Sequence, residues 1–173
     1  MPGGATDDLD AIFETHHGLV FRTAYRITGN AADAEDVMQT VFLRLLRREQ
    51  TAGALENPES YLRRAAINVA LDAVRAGKVK RAIPIEEVPE PAAEQEPREL
   101  KAALIRALAL LSPREAEVFA LRFFEDLSNK DIARALGISQ VHVAVVLHRA
   151  RTEIRAELDR AYAAQAGAGR RAK

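Results

Sequence analysis

Tyr61, Arg64, Asn68, Asp72 and Arg75 recur at spacings of three and four within the stretch Glu59 to Ala76. A helix carries residues at those spacings on one face. An aromatic ring, two guanidiniums and an amide on one face suit single-stranded nucleic acid: the ring stacks on a base while the cations hold phosphate. Lys78, Lys80 and Arg81 extend the positive charge past the helix end. The plainer reading, which the pattern alone favours, is a solvated face on which Asp72 pairs with Arg64 or Arg75. Enzyme chemistry finds no comparable set. His16 and His17 are adjacent, and His142 and His148 are six apart, off the i, i+4 spacing of a helical metal pair. Neither a Gly-rich phosphate loop nor a nucleophile motif is present, and the absence of cysteine excludes thiolate metal sites and disulfides. No catalysis, metal or cofactor is expected.

A second set of residues points to a protein partner. On a wheel of 100° per residue, the helix from Ala31 to about Arg48 places Val37, Met38, Val41, Phe42 and Leu45 on one stripe, its core side. Glu35, Asp36, Gln39, Leu43 and Leu46 fall opposite. Leucines beside carboxylates and an amide, turned from the core, have the make-up of a docking face. The plainer alternatives are a helix buried on both sides, or leucines that are merely exposed, which is ordinary.

The third set lies in Ser128 to Glu153, SNKDIARALGISQVHVAVVLHRARTE. Ser128 with Asp131 forms a capping pair that opens a short helix. Gly137 can supply the left-handed conformation that stops it, and Ser139 can cap a second, longer helix. Small Ala133 and Gly137 with β-branched Val143 also suit a close crossing over a tight turn. This is a helix-turn-helix pattern, whose second helix normally enters the major groove. Ala144, Val145 and Val146 stand where a DNA reader would carry polar or basic groups.

The positioning elements are all helical. Thr6 with Asp7 and Asp8 opens a first helix through Leu9, Ile12 and Phe13, and a second runs from about Leu19 to Thr28, ended by Gly29. Asn30 with Asp33 opens the third helix, Gln50 to Asn57 is a loop, and Pro58 leads into the fourth helix. From Ala82 to Pro97 four prolines alternate with glutamates, an acidic extended linker. Beyond it, Leu100, Leu104, Leu108 and Leu111 mark one helix and Ser112-Pro113-Arg114-Glu115 starts another. The last helix runs to about Tyr162, and the tail AQAGAGRRAK is expected to fray. The expected fold is therefore all-α: a four-helix domain over residues 6–81, a linker over 82–97 and a helix-turn-helix domain over 98–162.

The totals agree with a chain that buries real cores, since 48% of 173 residues are apolar and 29% charged. Net charge is zero and the isoelectric point about 6.9, so nucleic-acid binding must rest on local charge. The N-terminus lacks the basic-then-apolar order of a signal peptide, and no apolar run reaches membrane-spanning length. A soluble, cytoplasmic protein without membrane insertion is expected.

NAADAEDVMQTVFLRLLR, YLRRAAINVALDAVR, LSPREAEVFALRFFEDLSNKDIARALGIS and LHRAR, in this order, resemble an extracytoplasmic-function sigma factor of bacterial RNA polymerase, over about Leu9 to Leu158. The resemblance implies that Asp33, Glu35, Asp36, Gln39 and Leu43 dock on the clamp coiled coil of core RNA polymerase. It implies that Asn68, Asp72 and Arg75, with Tyr61 where the family usually has Trp, engage the promoter −10 element. The Gln50 to Asn57 loop then lies near a flipped −10 base, the linker threads towards the RNA exit path, and the second domain reads the −35 element beside the polymerase flap. A family pattern near S-x-G-T-V-K-S-R-L is replaced here by Ser139 to Leu147, SQVHVAVVL, so −35 reading is expected to be altered or weakened. The groups left for it are Ser139, Gln140, His142, His148, Arg149 and Arg151. The expected partners are core polymerase, promoter DNA and an anti-sigma factor, with the free chain monomeric. Two rival readings remain open: a response-regulator-type helix-turn-helix regulator, and an interaction module that has given up −35 binding and offers Ala144 to Val146 to a protein.

Overall fold

In a computed structural model of the chain, residues 4–52, 55–79 and 92–171 are described, with side chains over 9–48, 55–79 and 100–163. These residues form α1 (Gly4–Thr28), α2 (Ala31–Ala52), α3 (Pro58–Arg75), α4 (Ala92–Leu110), α5 (Pro113–Phe123), α6 (Asn129–Leu136) and α7 (Gln140–Arg171). Among the described residues there is no strand, and no helix is long and apolar enough to cross a membrane. The fold is all-α, as expected, and divides into two compact units, one built on α1–α3 and the other on α4–α7.

In the first unit each helix contributes one apolar stripe to a shared core. Val20, Ala24 and Ile27 come from α1, Ala34, Val37, Val41 and Leu45 from α2, and Leu62, Ala66, Ile67, Ala70 and Leu71 from α3, all buried. Full burial of a Val, Leu or Ile side chain stabilises by about 1.5–3 kcal/mol, so these stripes fix which faces remain outside. The two helices expected before Gly29 are one continuous α1. Gly18 costs a helix interior only about 1 kcal/mol, and the burial of Val20 and Ala24 immediately beyond it favours continuity. Gly29 ends α1 with φ 83°.

In the second unit α7 is the common partner of α4, α5 and α6. Leu108, Leu111, Val118, Leu121, Ile132, Val143 and Ala150 are buried there. The Ser112–Glu115 capping box forms reciprocally: Ser112 N–H donates to Glu115 Oε2 at 3.2 Å and Glu115 N–H donates to Ser112 Oγ at 3.4 Å.

Three boundaries differ from expectation, each for a physical reason. Residues 92–97 belong to α4, not to a linker, because Ala92, Ala93, Glu94, Gln95 and Glu96 are strong helix formers and outweigh Pro97. Pro84, Pro89, Pro91, Lys80 and Arg81 lie outside the described residues. α2 continues to Ala52, shortening the Gln50 to Asn57 loop, and α7 reaches Arg171 in place of a frayed tail. The alanine-rich run after Tyr162 has high helix propensity.

Candidate functional site

The nucleic-acid stripe is set up by the start of α3. Asn57 caps the helix, its Oδ1 accepting from Ser60 N–H at 2.9 Å, and Pro58 occupies the first turn. Six buried residues, Leu62, Ala66, Ile67, Val69, Ala70 and Leu71, then fix the inner face. Tyr61, Arg64, Asn68 and Arg75 are half-buried and Asp72 is exposed, so all five keep contact with solvent along one edge. The Arg48 guanidinium lies 5.4 Å from the Tyr61 ring centroid, a cation–π contact that ties the end of α2 to this stripe. Arg75 Nη1 stands 3.5 Å from Asp72 Oδ1. Part of the stripe is therefore the solvated ion pair, of little energetic weight by itself. Lys78, exposed just past the helix, adds a cation.

On α2 the wheel separates the two faces, although Met38 and Phe42, expected on the core stripe, are only half-buried. Val37, Val41 and Leu45 are buried, whereas Glu35, Asp36, Gln39, Leu43 and Leu46 are exposed. Leu43 at 55% is a genuinely outward leucine. Asp33 departs from this set: it is 6% exposed, its N–H donates to Asn30 Oδ1 at 2.8 Å, and its carboxylate accepts from the Asn30 side chain. Its position at the start of the helix makes it the partner of the cap, as the Asn30–Asp33 pairing predicts, and leaves it far less exposed than Glu35, Asp36, Gln39 and Leu43.

The helix-turn-helix forms through the expected devices. Asp131 N–H donates to Ser128 Oγ at 3.2 Å. Gly137 adopts φ 63°, ψ 35°, and the Ile138 and Gly137 amides return to the Ala133 and Arg134 carbonyls, a Schellman ending. Nothing stands within 4 Å of a Cβ built on Gly137. Its role is the left-handed backbone and not the close crossing anticipated from its size. Ala133 on α6 and Val143 on α7 are both buried, and the two helices pack on each other. His142 N–H donates to Ser139 Oγ at 3.1 Å, which starts α7.

Along α7 the buried side is Val143, Val146, Leu147, Ala150 and Ile154. Ser139, Gln140, His142, His148, Arg149 and Arg151 are all exposed. Val146, grouped from sequence with an outward apolar surface, is 6% exposed and is core. The outward apolar residues are Ala144, Val145 and Val141, the last 75% exposed. Sequence comparison with the family pattern drew attention to 144–146 and passed over Val141, although the 100° wheel places it opposite Val143, Val146 and Leu147.

Residues 12–79 match the family described as Sigma-70 region 2 and residues 101–154 that described as Sigma-70, region 4. The RNA polymerase sigma-E factor of Streptomyces coelicolor is 32% identical over 157 residues, spanning 90% of this chain and 88% of that protein. The ECF RNA polymerase sigma factor SigL of Mycobacterium tuberculosis is 30% identical over 156 residues, spanning 87% and 88% respectively. A chain from a structure of the RsbN-BldN complex is 24% identical with a TM-score of 0.34, covering 85% of this chain and 88% of that one, too loose a likeness to bear on the assignment. With the region 2 match covering α2 and α3, the region 4 match covering the helix-turn-helix, and relatives alike over nearly their whole length, this chain belongs to the extracytoplasmic-function sigma factors of the sigma-70 family.

Proposed function

We propose that this chain is an alternative sigma factor: it binds core RNA polymerase, directs it to promoters and assists opening of the −10 region. The observation that carries the reading is the joint presence, on one chain, of an outward acidic-and-leucine face on α2, an aromatic-and-cationic stripe on α3 and a helix-turn-helix with an exposed basic recognition helix. The roles divide by chemistry. Glu35, Asp36, Gln39, Leu43 and Leu46 offer a polymerase-docking face, with the clamp coiled coil its expected counterpart. Tyr61, Arg64, Asn68, Asp72 and Arg75 engage the −10 strand, Tyr61 by stacking and the guanidiniums through phosphate. Ser139, Gln140, His142, His148, Arg149 and Arg151 face the −35 duplex, where Gln140 can pair with adenine and the arginines with phosphate or guanine. Bond-making chemistry belongs to the polymerase. An anti-sigma factor is the regulator expected of such a chain, and the cytoplasm its place of action.

Transcription in vitro, with core polymerase and fragments of the source genome, tests this directly. Promoter-dependent transcripts that require the added chain are expected. Failure to associate with core, together with no such transcript, overturns the reading.

A further inference from the structure

The recognition helix carries an apolar ridge where the expected chemistry is polar. Val141, Val145, His148 and Thr152 follow one another at spacings of four, three and four, opposite the buried line of Val143, Val146, Leu147, Ala150 and Ile154. Val141 is 75% and Val145 46% exposed, and Ala144 beside them is exposed too. Thr152 Oγ1 donates to the His148 carbonyl at 2.9 Å, so its hydroxyl is engaged along its own helix.

The charge around this ridge identifies what covers it. Helices commonly gather carboxylates in their first turn, where the macrodipole favours them; α7 has none there. From Ser139 to Thr152 the chain contains no Asp or Glu, while Arg149 and Arg151, both exposed, flank the ridge on its two sides. A hydrophobic line between cations, in a stretch of helix that holds no carboxylate before Glu153, complements a polyanion whose interior edge is partly apolar. The major groove of DNA has that make-up: phosphates form its walls, and the one hydrocarbon group on its floor is the C5-methyl of thymine. A protein partner for an apolar ridge has no need of opening turns without carboxylates, and the acids of α7 begin only at Glu153.

We propose that Val141 and Val145, aided by Ala144, are specificity-determining residues that read thymine methyl groups in the upstream promoter element. Methyl burial then adds a second means of base selection beside the hydrogen bonds that Gln140 offers, with Arg149 and Arg151 holding the backbone. The absence of a Lys at 144 is a change in the mode of reading and not simply a loss. The inference rests on the promoter-directed function proposed above.

The test uses the holoenzyme and a promoter duplex recovered by the transcription assay. Thymines of its upstream element are replaced by 2′-deoxyuridine, which removes only the C5-methyl and leaves the pairing edge intact. Wild-type holoenzyme is expected to bind the uridine duplex about three- to fivefold more weakly for each methyl it buries. A Val141→Ala, Val145→Ala variant is expected to bind the two duplexes nearly alike, and both changes lie at exposed positions that leave the core intact. Equal binding of thymine and uridine duplexes by the wild type, an upstream element without thymine, or unchanged discrimination in the double variant overturns the inference. In each of those cases promoter-dependent transcription persists, so the sigma function stands. Loss of all promoter-dependent transcription overturns both together.

Discussion

Two helices of this protein turn aliphatic side chains to solvent, and their surroundings differ in sign. On α2, Leu43 and Leu46 share a face with Glu35 and Asp36. On α7, Val141 and Val145 share a face with Arg149 and Arg151 in a stretch free of carboxylates. Hydrophobic burial is non-directional, so an apolar patch alone names no partner. The charge around it does: acids repel phosphate and accept hydrogen bonds from a protein's Arg and Lys, whereas cations in an acid-free stretch admit a nucleic-acid backbone. That difference is the ground for proposing a protein face on the first unit and a DNA face on the second, from side chains of nearly equal hydrophobicity.

The largest effects come from confusing the inner with the outer line of either helix. Val146→Arg places an unpaired guanidinium in the second unit's core and is expected to destabilise it by about 3 kcal/mol or more. Val145→Arg, one residue earlier but exposed, should stay within about 0.5 kcal/mol. Urea unfolding followed by circular dichroism separates them, and equal midpoints would refute the assignment of Val146 to the core. On α2, Leu45→Ala should cost about 2–5 kcal/mol of stability. Leu43→Ala should leave the unfolding curve in place while weakening association with core polymerase by about tenfold, the scale of an interface anchor. If Leu43→Ala binds core as tightly as the wild type, the outward leucine is an ordinary surface residue and half the comparison fails.

A smaller effect distinguishes the two faces by salt. Arg149→Ala and Arg151→Ala should each reduce the slope of log affinity for duplex DNA against log salt by about one. Leu43→Ala should leave that slope unchanged. Titrations of promoter duplex at several ionic strengths measure it. A slope insensitive to both arginines would remove the phosphate contacts from α7.

How much of this was legible beforehand follows from which signals are local. The caps at Ser112, Ser128 and Ser139 and the left-handed Gly137 were readable, because each depends on a few neighbouring residues. The exposed face of α2 was also readable, since one buried stripe settles its opposite. The unity of α1 was not: a single Gly18 looks like a boundary until the burial of Val20 and Ala24 outweighs it. Nor was the helical start at Ala92, where prolines and glutamates masked a run of good helix formers. Within the site, the burial of Asp33 and of Val146 was hidden for one shared reason. Matching to a family pattern transfers residue types, whereas exposure is decided by where the helix phase sets each position. Asp33 falls at the cap and Val146 on the core stripe, whatever role the pattern attaches to them.

The finest distinction concerns Ser139, which caps α7 and belongs to the proposed DNA face. Its Oγ accepts from His142 N–H at 3.1 Å and so starts α7, yet the residue is exposed where a duplex would lie. Ser139→Ala removes the cap and should cost about 1 kcal/mol of stability in the second unit. Ser139→Asp keeps a capping oxygen of equal rank and adds a negative charge that the macrodipole favours, so stability should hold or rise slightly. The same charge repels phosphate, and duplex affinity should fall by several-fold at low salt, with the loss shrinking as salt screens it. A cap with no DNA neighbour predicts otherwise: Ser139→Asp would bind duplex as the wild type does at every ionic strength. Because Ser139→Ala removes the cap while Ser139→Asp keeps it and changes only the charge, Ser139 reports whether the start of α7 touches DNA independently of the valine ridge that follows it.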